Sequence, residues 1–110
     1  MVSYILIISN SSGFGAGVGF WVYNLPQLAE HRTVYAIDLP GFGRSSRVPY
    51  KGKTTEDAEE WFLKAIEDWR KNAGIKEPFT LLGHSFGGYL AGSYALKHPD
   101  NISHLILADP

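Results

Sequence analysis

One short stretch of small residues, Gly83-His84-Ser85-Phe86-Gly87, constrains the fold of this chain more than any other feature. The apolar run 79–82 comes directly before it, and a helical pattern over 87–97 follows it. A serine between glycines at the junction of a strand and a helix is typical of a sharp turn, because glycine admits a close backbone approach that a Cβ would block. The five-residue pattern also occurs by chance in unrelated chains, so the neighbouring segments decide its interpretation.

Those neighbouring segments predict a parallel α/β sheet. Four apolar runs have the length and composition of buried strands, and they cover residues 4–8, 33–38, 79–82 and 102–108. Helical patterns separate them, which indicates βαβ units with right-handed crossovers. We therefore expect a three-layer α/β sandwich of about four parallel strands, in the spatial order second, first, third, fourth, with helices on both faces.

The clearest helix is predicted to follow Thr54 or Thr55, either of which can cap it, and Gly74 lies just past its end. Its apolar residues recur at helical spacing, and they are Ala58, Trp61, Phe62, Ala65, Ile66 and Trp69. We interpret the three large aromatic residues of this stripe as core. A shorter helix is expected after the glycine-rich loop 13–19. Its apolar face would include Phe20, Trp21, Leu25 and Leu28, with Pro26 near its start.

Composition and charge exclude several functions. The chain has 110 residues, 45% of them hydrophobic, which predicts one packed domain over 1–110. Ten basic and eleven acidic residues nearly cancel, so nucleic-acid binding is not expected. The absence of cysteine excludes disulfides, thiolate metal sites and a cysteine nucleophile, and cytosol is the default location. The apolar run 4–8 is too short for the core of a signal peptide or a membrane span.

Two glycine-containing segments resemble cofactor motifs but lack the required residues. In the loop 13–19, the third glycine of a dinucleotide fingerprint is replaced by Val18 in one register and by Phe20 in the other. Gly52-Lys53-Thr54 resembles the end of a phosphate-binding loop, but Arg47 stands where its first glycine belongs. We interpret this second segment as a capped helix start. No cofactor and no metal are therefore expected.

The pattern around Ser85 is that of a nucleophile at a strand-to-helix turn, with Gly83, Gly87 and Gly88 supporting the turn. The helix that follows directs its N-terminal amides at the site, where they can stabilise negative charge on a substrate carbonyl oxygen. The N–H of Phe86 is the expected first donor to this oxyanion. The second is expected from the loop after the first strand, at the N–H of Phe14.

Three segments together closely resemble α/β-hydrolase domain proteins, and they are Gly13-Phe14-Gly15-Ala16-Gly17, Asp38-Leu39-Pro40-Gly41-Phe42-Gly43-Arg44-Ser45 and Gly83-His84-Ser85-Phe86-Gly87-Gly88. Phe20-Trp21-Val22 and the run 104–110 resemble the lysophospholipase and lipase-coactivator branch, abhydrolase domain proteins four and five. The resemblance implies hydrolysis of lysophospholipid or N-acyl phospholipid esters, with acyl transfer to lysophosphatidic acid as a related activity. It implies a lipid ester substrate and a cytoplasmic, lipid-droplet or mitochondrion-associated location. Contact with a lipid-droplet or membrane surface would involve regions outside these residues.

A serine nucleophile needs a base and an orienting acid, which follow it along the chain in this fold. Asp100 and His104 have that order but belong to the start of the fourth strand, far from Ser85. Asp109 ends that strand on the correct side, although the resemblance favours an acid further along. His84 is expected to pack near the turn, and His31 and His98 to lie at the surface. We expect the acid and the histidine outside the 110 residues. A non-catalytic lipase coactivator or scaffold and an inactive truncated product stay open as alternatives.

Overall fold

The computed structural model describes residues 4–9, 25–39 and 52–108. Its four strands are β1 (Tyr4–Ser9), β2 (Thr33–Asp38), β3 (Phe79–His84) and β4 (Ile102–Ala108). They form one parallel sheet in the order β2-β1-β3-β4. The predicted strand order is therefore confirmed. The third strand extends two residues further than predicted, to His84, and an irregularity between Phe79 and Thr80 shifts its register with β4.

Three α-helices accompany the sheet in the described residues, and they are α1 (Leu25–Leu28), α2 (Thr55–Asn72) and α3 (Phe86–Lys97). A short 3₁₀ helix, Pro99–Asn101, leads from α3 into β4. In α1 the proline is the second residue, where its fixed φ and missing N–H are tolerated, as expected. The part of the predicted short helix that includes Phe20 and Trp21 lies outside the described residues.

Alternate side chains of β1 enter two cores on opposite faces of the sheet. Leu6 and Ile8 join the core that α2 and α3 cover, whereas Ile5 and Ile7 pack with Leu25 and Leu28 of α1. All four strand residues are buried. Helices on both faces explain why β1 is a continuous apolar run rather than an alternating one.

Helix α2 begins and ends with motifs that its sequence encodes. Thr54 is the N-cap: its hydroxyl accepts from the Asp57 N–H at 3.0 Å, and the Asp57 carboxylate accepts from the Thr54 N–H in return. At the other end Gly74 adopts a φ of +78°. Its N–H donates to Lys71, and the Ile75 N–H donates to Arg70, which completes a Schellman motif. The interpretation of Gly52-Lys53-Thr54 as a capped helix start is thus confirmed.

The predicted apolar face of α2 is confirmed for three of its six residues. Phe62 and Trp69 pack against the core, and Ile66 is fully buried. Trp61 is half-buried and its ring contacts Phe62 edge-on, with centroids 5.0 Å apart. Leu63 is absent from the predicted stripe, but it is buried in the same core as Ile66.

A partly buried polar network joins α2 to the end of α3. The Glu67 carboxylate accepts from the Arg70 guanidinium at 2.5 Å and from the Tyr94 hydroxyl at 2.8 Å. Arg70 also donates to the Ile75 carbonyl, and Asn101 donates to the Tyr94 hydroxyl. The hydrogen bonds from Arg70 lower the pKa of Glu67 to about 2, against the opposing effect of burial. Burial, followed by the hydrogen bond to Glu67, raises the pKa of Tyr94 to about 12.

Candidate functional site

The backbone at Ser85 is strained in the way that the sequence motif requires. Ser85 lies between the last residue of β3 and the first residue of α3, with φ +58° and ψ −123°. It is the one non-glycine residue with positive φ in the described segments. Such a conformation costs on the order of 1–3 kcal/mol and persists only where the surroundings enforce it. The strain and the exposed position of Ser85 mark the turn as a candidate reactive site.

Two contacts fix this turn to the sheet. A Cβ built on Gly83 would overlap the carbonyl oxygen of Gly87 and lie 2.8 Å from the Cβ of Ala91, so α3 crosses β3 at a distance that only glycine permits. The Ser85 N–H donates to the carbonyl of Ala108 at 3.2 Å, which anchors the turn to the C-terminal end of β4. Gly87 and Gly88 are buried in the first turn of α3. The close approach at this turn involves Gly83 and Gly87.

The N-terminus of α3 supplies the electrostatic character of the site. The Ser85 carbonyl accepts from the N–H groups of Gly88 and Tyr89, so the helix begins immediately after the serine. Its first turn, which the structure describes in full, contains no acidic residue that would neutralise the positive end of the helix dipole. The Phe86 amide belongs to this turn, as predicted for an oxyanion donor. Phe14, the expected second donor, lies outside the described residues.

Aromatic rings join the turn to α2. The Phe86 ring meets the Phe62 ring nearly perpendicularly at 5.3 Å and stacks on the Tyr89 ring at 6.2 Å. The Tyr89 hydroxyl donates to the Glu59 carboxylate at 3.1 Å, and this bond is the main reason why the pKa of Tyr89 is raised. We call Phe62, Phe86 and Tyr89 the aromatic column. The sequence suggested Phe62 as core but gave no sign that its ring touches the residue after the serine.

All four histidines of the chain lie in the described residues, and the structure separates three of them from Ser85. His104 pairs with Thr80 near the start of β3, and Asp100 lies in the 3₁₀ helix before β4, so both lie at the opposite end of the sheet, as expected. His31 is exposed on the chain that enters β2.

His98 lies at the end of α3, as predicted, but it is only partly exposed. Its side chain is 26% exposed, its ring packs on Tyr94 with centroids 4.8 Å apart, and its Nδ1 lies 3.7 Å from the Glu67 carboxylate. The sequence pattern did not reveal these contacts with Tyr94 and Glu67. His84 is half-buried at the end of β3, beside Ser85. Asp109 lies outside the described residues.

A parallel sheet with a strained serine between a central strand and its helix defines the α/β-hydrolase class. The sequence matches the alpha/beta hydrolase fold family over residues 10–110. The chain belongs to this family. Solved structures agree: a membrane phospholipase A superposes with a TM-score of 0.80 at 30% identity, over 96% of this chain and 32% of that one. A 2-hydroxy-6-oxo-6-phenylhexa-2,4-dienoate hydrolase from Rhodococcus superposes with a TM-score of 0.82 at 25% identity, over 96% and 37% of the two chains.

Two curated relatives belong to the lysophospholipase and lipase-coactivator branch of this family. The chain is 52% identical to the (lyso)-N-acylphosphatidylethanolamine lipase of Homo sapiens over 98 residues. It is 48% identical to the 1-acylglycerol-3-phosphate O-acyltransferase ABHD5 of Homo sapiens over a stretch of the same length. Each alignment covers 89% of this chain and 28% of the relative. The chain therefore spans little more than a quarter of the length of these two relatives, and the branch agrees with the resemblance found in the sequence.

Proposed function

We propose that the protein carrying this chain is a serine hydrolase of lipid carboxylic esters, with Ser85 as the nucleophile. The observation that carries the proposal is the positive φ of Ser85 at the junction of β3 and α3. A backbone under this strain, at the positive end of a helix, is what a nucleophile turn requires. The relatives are named as a lipase and an O-acyltransferase, and these names support ester chemistry for the proposal.

In the proposed reaction the Ser85 hydroxyl oxygen attacks the ester carbonyl carbon, and its proton passes to a general base. The Phe86 N–H and the helix dipole of α3 stabilise the oxyanion that forms, with Phe14 as the second proposed donor. Collapse of this intermediate releases the alcohol and leaves an acyl-serine. Water then completes hydrolysis, or an acceptor alcohol completes acyl transfer.

The general base and its acid are proposed to come from residues outside this chain. His31, His98 and His104 lie away from Ser85, and the relatives are more than three times as long as the aligned stretch. On this proposal the 110 residues are one part of a single α/β-hydrolase domain. They contribute the nucleophile, its turn and the loop for the second oxyanion donor.

The proposed substrate class is a glycerophospholipid ester, either a lysophospholipid or an N-acyl phospholipid, and lysophosphatidic acid is the proposed acyl acceptor. The printed activities of the relatives and the phospholipase title of a structural neighbour support this choice. Within residues 4–9, 25–39 and 52–108, no helix is both long and apolar enough to cross a membrane. Cytoplasmic placement with access to a lipid droplet, a mitochondrial surface or another membrane surface is part of the proposal.

The proposal is tested in the protein at its full natural length. Mixed micelles carrying an N-acylphosphatidylethanolamine, its lyso form or a lysophosphatidylcholine are incubated with wild type and with Ser85→Ala. We expect released fatty acid from at least one lipid with wild type and none above background with the variant. Equal release by both proteins would refute the role of Ser85. A folded wild type that releases nothing would favour the coactivator alternative.

A further inference from the structure

We propose that Phe62 and Tyr89 are positioning residues for the nucleophile turn, acting through the ring of Phe86. This inference rests on the proposed function and deepens it. Neither side chain is expected to touch the reacting atoms. They hold the residue whose main-chain N–H is the proposed oxyanion donor.

The Phe86 ring contacts two rings that belong to different parts of the fold. Phe62 comes from the middle of α2 and meets Phe86 edge to face, with the ring planes at 81°. Tyr89 comes from the first turn of α3 and stacks on the Phe86 ring, with the planes at 8°. Both arrangements suit the charge distribution of aromatic rings. The Phe86 side chain is therefore restrained by one ring from α2 and one ring from α3.

The burial of the column shows which end is anchored. Phe62 and Phe86 pack against the main core, whose members include the fully buried Ile66 and Leu90. Tyr89 is 50% exposed, and its hydroxyl is tied back to Glu59 of α2. At the core end of the column, Phe62 of α2 contacts Phe86 of α3. At its exposed end, the hydrogen bond from Tyr89 to Glu59 joins the same two helices.

A fixed ring matters at this position because the backbone beside it is strained. Ser85 has φ +58°, and a turn held in such a conformation relaxes when its surroundings allow it. Relaxation would rotate the peptide between Ser85 and Phe86, which carries the proposed donor N–H. Oxyanion stabilisation depends on donors placed in advance, so this rotation would slow the chemical step while leaving substrate affinity nearly unchanged.

Helix α2 contains a control residue for the substitution of Phe62. Trp69 also packs against the main core and also makes an edge contact, with Tyr35 at 5.2 Å and 75°, but its partner is on β2 rather than beside Ser85. Phe62→Leu removes the edge contacts with Phe86 and Trp61, whereas Trp69→Leu removes the edge contact with Tyr35, and both replace a core-facing aromatic side chain of the same helix. A role confined to stability would make the two variants behave alike.

The experiment measures turnover of p-nitrophenyl butyrate by the full-length protein and its variants, with melting curves for each. For Phe62→Leu we expect kcat to fall about tenfold with little change in KM, since small displacements of catalytic groups are costly. For Trp69→Leu we expect a lower Tm and a kcat near that of wild type. Tyr89 gives a second pair of variants at a half-exposed position. Tyr89→Leu should lower kcat about threefold, the effect of losing one ring stack. Tyr89→Phe keeps the ring and loses only the exposed hydrogen bond to Glu59, so it should keep most of the wild-type kcat.

The inference is overturned if Phe62→Leu and Trp69→Leu lower kcat equally, or if the loss in Phe62→Leu is in KM alone. If Phe62→Leu does not fold, the Tyr89 pair decides, and equal kcat values for Tyr89→Leu and Tyr89→Phe overturn the inference. A Ser85→Ala control distinguishes failure of the proposed function from failure of the inference about Phe62 and Tyr89. Turnover that survives this control refutes the proposed function itself, whereas failure of the inference leaves Ser85→Ala inactive.

Discussion

Gly83 and Gly87 approach so closely that a Cβ built on Gly83 would lie 2.6 Å from the carbonyl carbon of Gly87 and closer still to its oxygen. The neighbour is backbone in the first turn of α3, so it cannot move without moving the helix. We predict that Gly83→Ala lowers the free energy of unfolding by about 3 kcal/mol, at the upper end of the cost of overpacking a core.

Gly92 provides the control for this substitution. It lies within α3, and a Cβ there would meet nothing within 4 Å in the described structure. Gly92→Ala should raise the free energy of unfolding by about 0.5–1 kcal/mol, because alanine loses less backbone entropy than glycine in a helix. Urea denaturation of both variants in the full-length protein measures the difference. If Gly83→Ala is as stable as Gly92→Ala, the close approach of α3 to β3 is wrong.

Ser85→Gly should separate stability from function. Glycine adopts positive φ without the steric penalty that Ser85 bears, so relief of strain should exceed the added entropy of the unfolded chain. We expect this variant to be about 1 kcal/mol more stable than Ser85→Ala, and both to be inactive. Ser93→Gly, in the regular part of α3, should instead be destabilised by about 0.5 kcal/mol. Thermal melts of the three variants that rank Ser85→Gly below Ser85→Ala would contradict the assigned strain.

We predict that the folded protein loses stability in acid as Glu67 becomes protonated. Its pKa is lowered in the folded protein to about 2 from an ordinary value of 4.5, chiefly by the Arg70 guanidinium. The unfolded chain therefore binds a proton first as the pH falls. The stabilisation is complete above the unfolded pKa and is lost between about pH 5 and pH 2, with a total on the order of 2–3 kcal/mol.

Glu67→Gln checks this assignment because glutamine cannot titrate. We expect the stability difference between wild type and Glu67→Gln to shrink as the pH is lowered from 6 to 3 in urea melts. Lys64 and Asp68 form an exposed pair on the same helix, and Asp68→Asn should leave the pH dependence almost unchanged, since exposed pairs contribute little. A difference between wild type and Glu67→Gln that is constant with pH would show that the carboxylate is not stabilised as described.

The 110-residue chain expressed alone is predicted to self-associate. In the described sheet β2 and β4 are the outer strands, and Ile106 and Leu107 of β4 are 37% and 44% exposed. An apolar outer strand without charge is a template for pairing with another chain. Light scattering at micromolar concentration should show oligomers, and Leu107→Lys should reduce them. A monodisperse monomer would contradict this prediction.

Strand positions and the ends of α2 could be predicted from sequence because local patterns determine them. The apolar run 4–8 indicates a buried strand. Thr54 indicates the start of α2 and Gly74 its end, and none of these signals depends on residues distant in the chain. The strained turn at Ser85 was also predictable, because small residues between a strand and a helix leave few alternatives.

Contacts between elements distant in sequence could not be predicted in the same way. The bond between Glu67 and Tyr94 spans 27 residues, and the one between Tyr89 and Glu59 spans 30. Both depend on how α2 packs against α3, which periodicity along either helix does not define. The same limit applies to His98, whose position at the end of α3 indicated a surface residue but not its contacts with Glu67 and Tyr94.

The central claim, that Ser85 is an activated nucleophile, is tested most directly by covalent labelling. The full-length protein is treated with a fluorophosphonate probe, digested, and its peptides are sequenced by mass spectrometry. We predict one adduct, on the peptide that contains Ser85, with no adduct in Ser85→Ala and about tenfold slower labelling in Phe62→Leu. A folded wild-type protein whose Ser85 stays unmodified, or an adduct on another serine that persists in Ser85→Ala, would contradict the claim.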